Sequence, residues 1–122
     1  MNIQIRFVDI SKNENLEKYA EKKIAEVLKK FSRHFSKEES ILAEIELSKV
    51  SGHHEQGELY KASLNVEGFE EMIHAEAITD DFYKSIDNLR NRLREILANQ
   101  KNKRHTLSRR FGSQFKKLFR RH

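Results

Sequence analysis

The sequence predicts a two-layer α+β domain of order β-α-β-β-β-α, with two helices on one face of a four-stranded sheet and a basic C-terminal tail. Two observations carry this expectation. Four stretches alternate apolar and polar residues at the period of a half-buried strand, and two longer stretches repeat apolar residues at i, i+3, i+4 and i+7. A third, the absence of any internal repeat or proline-rich linker, argues for one domain, as does a length of 122 residues.

Ile3, Ile5 and Phe7 alternate with Asn2, Gln4 and Arg6, which marks the first strand. Ser11 and Glu14 have the spacing of a capping box, and Leu16, Tyr19, Ala20, Ile24, Val27, Leu28 and Phe31 then recur at helical spacing, so the first helix is expected to end near Phe31. Residues 32 to 40 are polar and without period, a connection. Ile41, Ala43, Ile45 and Leu47 alternate with Leu42, Glu44, Glu46 and Ser48 in a second strand reaching Val50. After the turn SGHHEQG, Tyr60, Ala62, Leu64 and Val66 define a third, and after the turn Gly68 to Glu71, Ile73, Ala75 and Ala77 define a fourth. Short turns make the last three strands antiparallel, whereas the first, separated by a helix, should pair in parallel through a right-handed crossover.

The second helix, from Thr79 to Arg104, organises the chain. Phe82, Tyr83, Ile86, Leu89, Leu93, Ile96 and Leu97 form one stripe, with Thr79 as the expected cap and Asp80 and Asp81 at the positive end of the dipole. Arg90, Arg94 and Lys101 fall in one narrow sector at the edge of that stripe, and Arg92 lies on the opposite flank. The first helix carries Lys18, Lys22, Lys23, Lys29 and Lys30 among Glu17, Glu21 and Glu26, part of which is ordinary i, i+4 pairing on a solvated face.

Composition narrows the function classes. Hydrophobic residues are 37% and charged residues 35%, the balance of a soluble protein with a modest core. With no cysteine there is neither a disulfide framework nor a Cys-based zinc site. The alternating N-terminus is unlike a signal peptide, and no run approaches the ~18 apolar residues of a membrane span, so the expected location is the cytoplasm. Net charge is +5, unevenly placed: residues 1 to 89 hold 12 Lys/Arg against 18 Asp/Glu, net −6, while residues 90 to 122 hold 12 Lys/Arg against Glu95 alone, net +11. Cations clustered in this way suit a polyanion, because binding releases its condensed counterions.

Catalysis finds little in these residues. The carboxylates sit on solvated faces or at a helix start, with no Gly-rich phosphate loop or nucleophile motif beside them. His53-His54 lacks a third metal ligand at fixed spacing, and His74 falls among outward strand positions. No cofactor, metal or small-molecule substrate is expected.

From Lys101 onward the chain changes character. Leu107, Phe111, Phe115, Leu118 and Phe119 keep near-helical spacing among Arg109, Arg110, Lys116, Lys117, Arg120 and Arg121, and Gly112 weakens any helix there by about 1 kcal/mol relative to Ala. The expected division is a body of residues 1–103 and a tail of residues 104–122, disordered alone and ordered or helical on a partner.

The run Asp80-Asp81-Phe82-Tyr83-Lys84-Ser85-Ile86-Asp87-Asn88-Leu89, followed by Arg92-Leu93 and Leu97, resembles the ED-M-Y-x-A-I-D…K-L-E-x-Q-L signature of the ribosome hibernation promoting factor family, which includes the ribosome-associated inhibitor. Tyr19, Lys22, Lys23 and Leu28-Lys29-Lys30-Phe31 look like that family's first helix, and the likeness spans residues 1 to 103. It implies a protein without enzymatic activity that binds the small ribosomal subunit in the decoding region. There it would occupy space used by messenger and transfer RNA and silence idle ribosomes under stress or in stationary phase. Arg92 matches the family's second-helix lysine, Lys103 a later basic position, and Lys22, Lys23 and Lys30 first-helix cations, which the resemblance makes rRNA contacts. Arg94-Glu95 exchanges the family's acidic and basic positions. The second, ribosome-dimerising domain of the long family form does not follow, so the short form, monomeric off the ribosome, is expected.

Charge alone adds Arg90, Arg94, Lys101, Arg104, Arg109, Arg110, Lys116 and Lys117 to the expected rRNA-binding set, the tail threading along rRNA or the empty messenger channel while Phe111, Phe115 and Phe119 stack on bases or pack locally. Two other readings fit the residues: a stand-alone RNA-binding domain, since helices beside an antiparallel sheet also occur in double-stranded RNA binders, and a membrane-surface or protein-interaction module using the tail as a basic amphipathic helix.

Overall fold

The computed structural model describes residues 1–35, 38–50 and 57–111, with side chains for all of these except 34, 35 and 104–111. The order is β1 (Asn2–Val8), α1 (Glu14–Phe35), a 3-10 turn (Glu38–Ser40), β2 (Leu42–Val50), β3 (Leu59–Glu67), β4 (Ile73–Thr79) and α2 (Phe82–Phe111). The four strands lie in the order β1-β2-β3-β4, β1 parallel to β2 and the other pairs antiparallel. The expected α+β fold is the observed one.

Register explains which face is buried. Ile5 stands opposite Ile45, Ile45 opposite Leu64, and Leu64 opposite Ala75, so one alternation across the whole sheet points its apolar side chains at the helices. Ile24 and Leu28 of α1 and Ile86, Leu89, Leu93 and Leu97 of α2 close over them, all fully buried. Beneath α2 the small buried residues Ala62, Ala75 and Ala77 let the helix come close to β3 and β4. Ile3, Ile5 and Phe7 are only half-buried because β1 is an edge strand. The opposite face stays polar, with Arg6 bridging to Glu46 at 3.0 Å and Lys61 to Glu76 at 3.4 Å. His74 lies exposed on that face, 2.7 Å from Asn65 and 3.1 Å from Glu76.

The helix ends differ from the sequence expectation, each for a physical reason. Asn13, not Ser11, caps α1: its Oδ1 accepts from the Asn15 N–H at 2.9 Å and the Leu16 N–H at 3.1 Å. Asp81, not Thr79, caps α2, accepting from the Tyr83 N–H at 3.1 Å, while its carbonyl takes the first helical bond from Ser85 at 3.0 Å. Thr79 instead accepts from the Asp81 N–H and fixes the turn one step earlier. Helix α1 runs past Phe31 because buried Ser32 bonds back to the Lys29 carbonyl at 3.1 Å and the polar residues after it stay helical. Helix α2 likewise passes Arg104 without a break to Phe111, so residues 104–111, placed with the tail by composition, continue the backbone of the body's own helix.

Because β1, β2 and β4 share one direction and each helix returns across the sheet, α1 and α2 run the same way, side by side. That arrangement positions the site.

Candidate nucleic-acid interface

Tyr19 joins the two helices near their starts. Its hydroxyl donates to Asp87 Oδ1 at 2.6 Å, and its ring meets Tyr83 edge-on, with centroids 4.9 Å apart and planes at 72°. The hydrogen bond to Asp87 chiefly, and burial after it, hold the Tyr19 phenol above its ordinary pKa of 10.0, while the nearby Arg90 guanidinium opposes the rise. Lys23 places its ammonium 5.3 Å from the centre of the same ring. Lys23 of α1 and Arg90 of α2 therefore converge on one side chain.

From that point helical spacing carries the cations onward. Lys30 lies seven residues after Lys23 on the same flank of α1, its ammonium 5.8 Å from the Phe31 ring centre. Arg94 and Lys101 follow Arg90 at four and eleven residues on the same flank of α2. Since the helices are parallel, Lys23, Lys30, Arg90, Arg94 and Lys101 line the two borders of one outward groove. Lys30, Arg94 and Lys101 are exposed, and Lys23 and Arg90 half-buried, their stems lying on apolar or aromatic surface.

The other expected contacts separate from this set. Lys22 is exposed on the outer crest of α1. Arg92 and exposed Lys103 occupy the far flank of α2, toward β4, where Arg92 Nη1 donates to the Glu76 carbonyl. The backbone at Arg104, Arg109 and Arg110 continues α2, whereas Lys116 and Lys117, with Phe115 and Phe119, lie outside the described residues. So does the His53-His54 doublet.

The carboxylates of the ion pairs sit apart from these cations, while Asp87 and, by helical spacing, Glu26 stand among them. Among the described residues the ion pairs are Arg6–Glu46, Lys61–Glu76, His74–Glu76, Lys12–Glu17, Lys84–Asp80 and Lys49–Glu58, on the open sheet face or at the helix starts. None of these pairs uses a groove cation, and Arg90 Nε donates instead to neutral Asn91 at 3.3 Å. Along the groove five cations stand against Asp87 and, by helical spacing, Glu26, so this part of the helix face carries a net positive charge. Among the described residues no group of three His, Asp or Glu side chains could hold a metal ion, and no helix is long and apolar enough to cross a membrane.

Periodicity missed Tyr19 and Tyr83 as site residues, because both sit at stripe positions and were expected to pack. A hydroxyl on a stripe residue was the available signal, since such a group needs a partner at the edge of a core.

A four-stranded mixed sheet under two parallel helices, with cations on both borders of their groove, defines a two-layer α+β protein with a polycationic helix face. The match of residues 3–105 to the family model described as "Sigma 54 modulation protein / S30EA ribosomal protein" makes the assignment specific: the chain belongs to that family. It is not a family of enzymes. Solved structures share the fold, two of them as follows. The N-terminal domain of Thermus thermophilus Protein Y is similar at a TM-score of 0.60 and 22% identity, over 80% of this chain and 96% of that one. A ribosomal subunit interface protein from Coxiella burnetii is similar at a TM-score of 0.60 and 23% identity, over 84% of this chain and 99% of that one. Among curated proteins, none matches.

Proposed function

We propose that this protein is a ribosome hibernation factor that acts in the cytoplasm. It binds the small ribosomal subunit in the decoding region, blocks messenger and transfer RNA there, and so holds translation down under stress or in stationary phase. The carrying observation is the cation groove between α1 and α2, outside the ion pairs of the described residues, in a chain of the S30EA family, whose structural relatives include a ribosomal subunit interface protein.

In this reading Lys23, Lys30, Arg90, Arg94 and Lys101 face rRNA phosphates from both borders of the groove. Lys22, Arg92 and Lys103 add contacts on the flanks, and Arg104, Arg109, Arg110, Lys116 and Lys117 extend them along the C-terminal segment. Sequence-independent affinity then comes from phosphate neutralisation, and the rigid helix pair sets the register of the contacts.

Gradient sedimentation of stationary-phase lysates tests the proposal. Co-migration with ribosomal particles is expected. Protein confined to the top of the gradient would overturn it and favour a stand-alone RNA-binding domain.

A further inference from the structure

An open cleft of about 970 Å³ lies where the starts of α1 and α2 meet the ends of the strands. Tyr60, Phe82 and Tyr83 form its aromatic wall; Asp9, Asp80 and Asp81 supply carboxylates along it beside Lys49, Asp80 being paired with Lys84 and Asp81 capping α2 through one oxygen, so the lining is net acidic. We infer that this cleft takes one unstacked nucleobase of the bound RNA, with the Tyr83 ring as the stacking platform. The inference rests on the rRNA reading above and assigns the base-binding part of the same contact.

Tyr83 belongs to the apolar stripe of α2 yet keeps 40% of its surface exposed. Its neighbour Phe82 is half-buried, packed against Tyr60 with centroids 4.6 Å apart. Exposure does not leave the Tyr83 ring loose. Tyr19 contacts it edge to face, and Tyr19 is itself fixed by Asp87. A ring held in place before binding loses little freedom when a base stacks on it.

Charge selects which part of a nucleotide enters. Carboxylates repel a phosphate but accept hydrogen bonds from the amino and imino groups on a base edge. The phosphates have their own place close by, since Lys23 and Arg90 flank Tyr19 at the head of the cation groove. A strand of RNA crossing this end of the domain can therefore lay its backbone on the groove and turn one base into the cleft. Exposed single-stranded segments of structured RNA offer such bases.

The experiment measures affinity for purified small ribosomal subunits across a salt series, with the full-length chain, Tyr83→Phe and Tyr83→Leu. Tyr83→Phe keeps the ring and should bind within about twofold of the parent. Tyr83→Leu should lose about fivefold or more, with the slope of log affinity against log salt unchanged, because stacking releases no counterions. Tyr83→Leu also gives up the edge-on contact with Tyr19 and should lower the thermal midpoint slightly, so binding is compared at a temperature where both variants are folded. Equal binding by Tyr83→Leu would overturn the inference and leave the ribosome reading intact. A loss accompanied by a shallower slope would also overturn it, by assigning the effect to the phosphate groove. Failure of the parent chain to bind at all would remove both.

Discussion

The Tyr19 hydroxyl donates a 2.6 Å hydrogen bond to Asp87, tying the start of α1 to the first turns of α2. The bond fixes the flank on which Lys23 and Arg90 meet, so it is both a stability and a site contact. Tyr19→Phe is expected to cost about 1 kcal/mol in denaturant unfolding. It should also weaken small-subunit binding modestly. The raised phenol pKa gives the sign at high pH: the contribution is complete below the ordinary value of 10.0 and is lost as pH rises through the folded-state value. The stability difference between parent and Tyr19→Phe should accordingly shrink in alkaline buffer and stay constant around neutrality.

At the other extreme of pH the open sheet face decides. The His74 hydrogen bond chiefly, then the Lys61 charge, hold the Glu76 carboxyl below its ordinary value of 4.5. A lowered folded-state pKa contributes stability above the unfolded value, and that contribution disappears as pH falls through the folded one. Thermal midpoints of the parent and Glu76→Gln should differ slightly at neutral pH and converge in acid. A difference that grows in acid would contradict the assignment.

Gly68 is irreplaceable on two grounds. Its φ is +113°, and a Cβ there would stand 2.6 Å from the Ser40 carbonyl oxygen and 2.8 Å from Ile41 Cα. Both obstacles are backbone and cannot swing away. Gly68→Ala should destabilise the domain by roughly 2–4 kcal/mol, read as a lower denaturant midpoint.

Ser85 is a buried hydroxyl in the seam between α2 and the sheet. Its Oγ donates to the Tyr60 carbonyl at 2.8 Å and lies 2.8 Å from Thr79 Oγ1. Ser85→Ala should cost about 1 kcal/mol, and Ser85→Leu more, because the larger side chain has no space there. Equal stability of all three proteins in urea would contradict this placement.

The two flanks of α2 are expected to behave differently in binding. Arg94 is exposed and outside every ion pair of the described residues, whereas Arg92 already donates to the Glu76 carbonyl. Arg94→Ala should therefore weaken small-subunit binding more than Arg92→Ala and reduce the salt slope by about one. The reverse order would move the interface to the β4 edge.

The fold was legible in the sequence because the two periods that define it are clean: Ala43 to Ser48 alternates without exception, and Ile86, Leu89, Leu93 and Leu97 keep helical spacing throughout. Caps were less legible. Asn13 and Asp81 each sit within two residues of another good capping residue, and only the hydrogen-bond geometry separates them. The charged groove was half legible: spacing put Arg90, Arg94 and Lys101 on one flank, but which flank faces α1 depends on the Tyr19–Asp87 contact across 68 residues. Spacing within one helix carries no information about a neighbour, so Lys23 and Lys30 could be listed with those arginines but not set across a groove from them.

The most direct measurement is the affinity of the full-length chain for purified small ribosomal subunits as a function of salt, compared with a Lys23→Glu, Arg90→Glu, Arg94→Glu variant. Tight binding at low ionic strength, a steep fall with salt, and a much weaker and shallower response in the variant are expected if the groove holds rRNA. Small subunits that ignore the parent chain at low ionic strength, or bind the variant equally well, would contradict it.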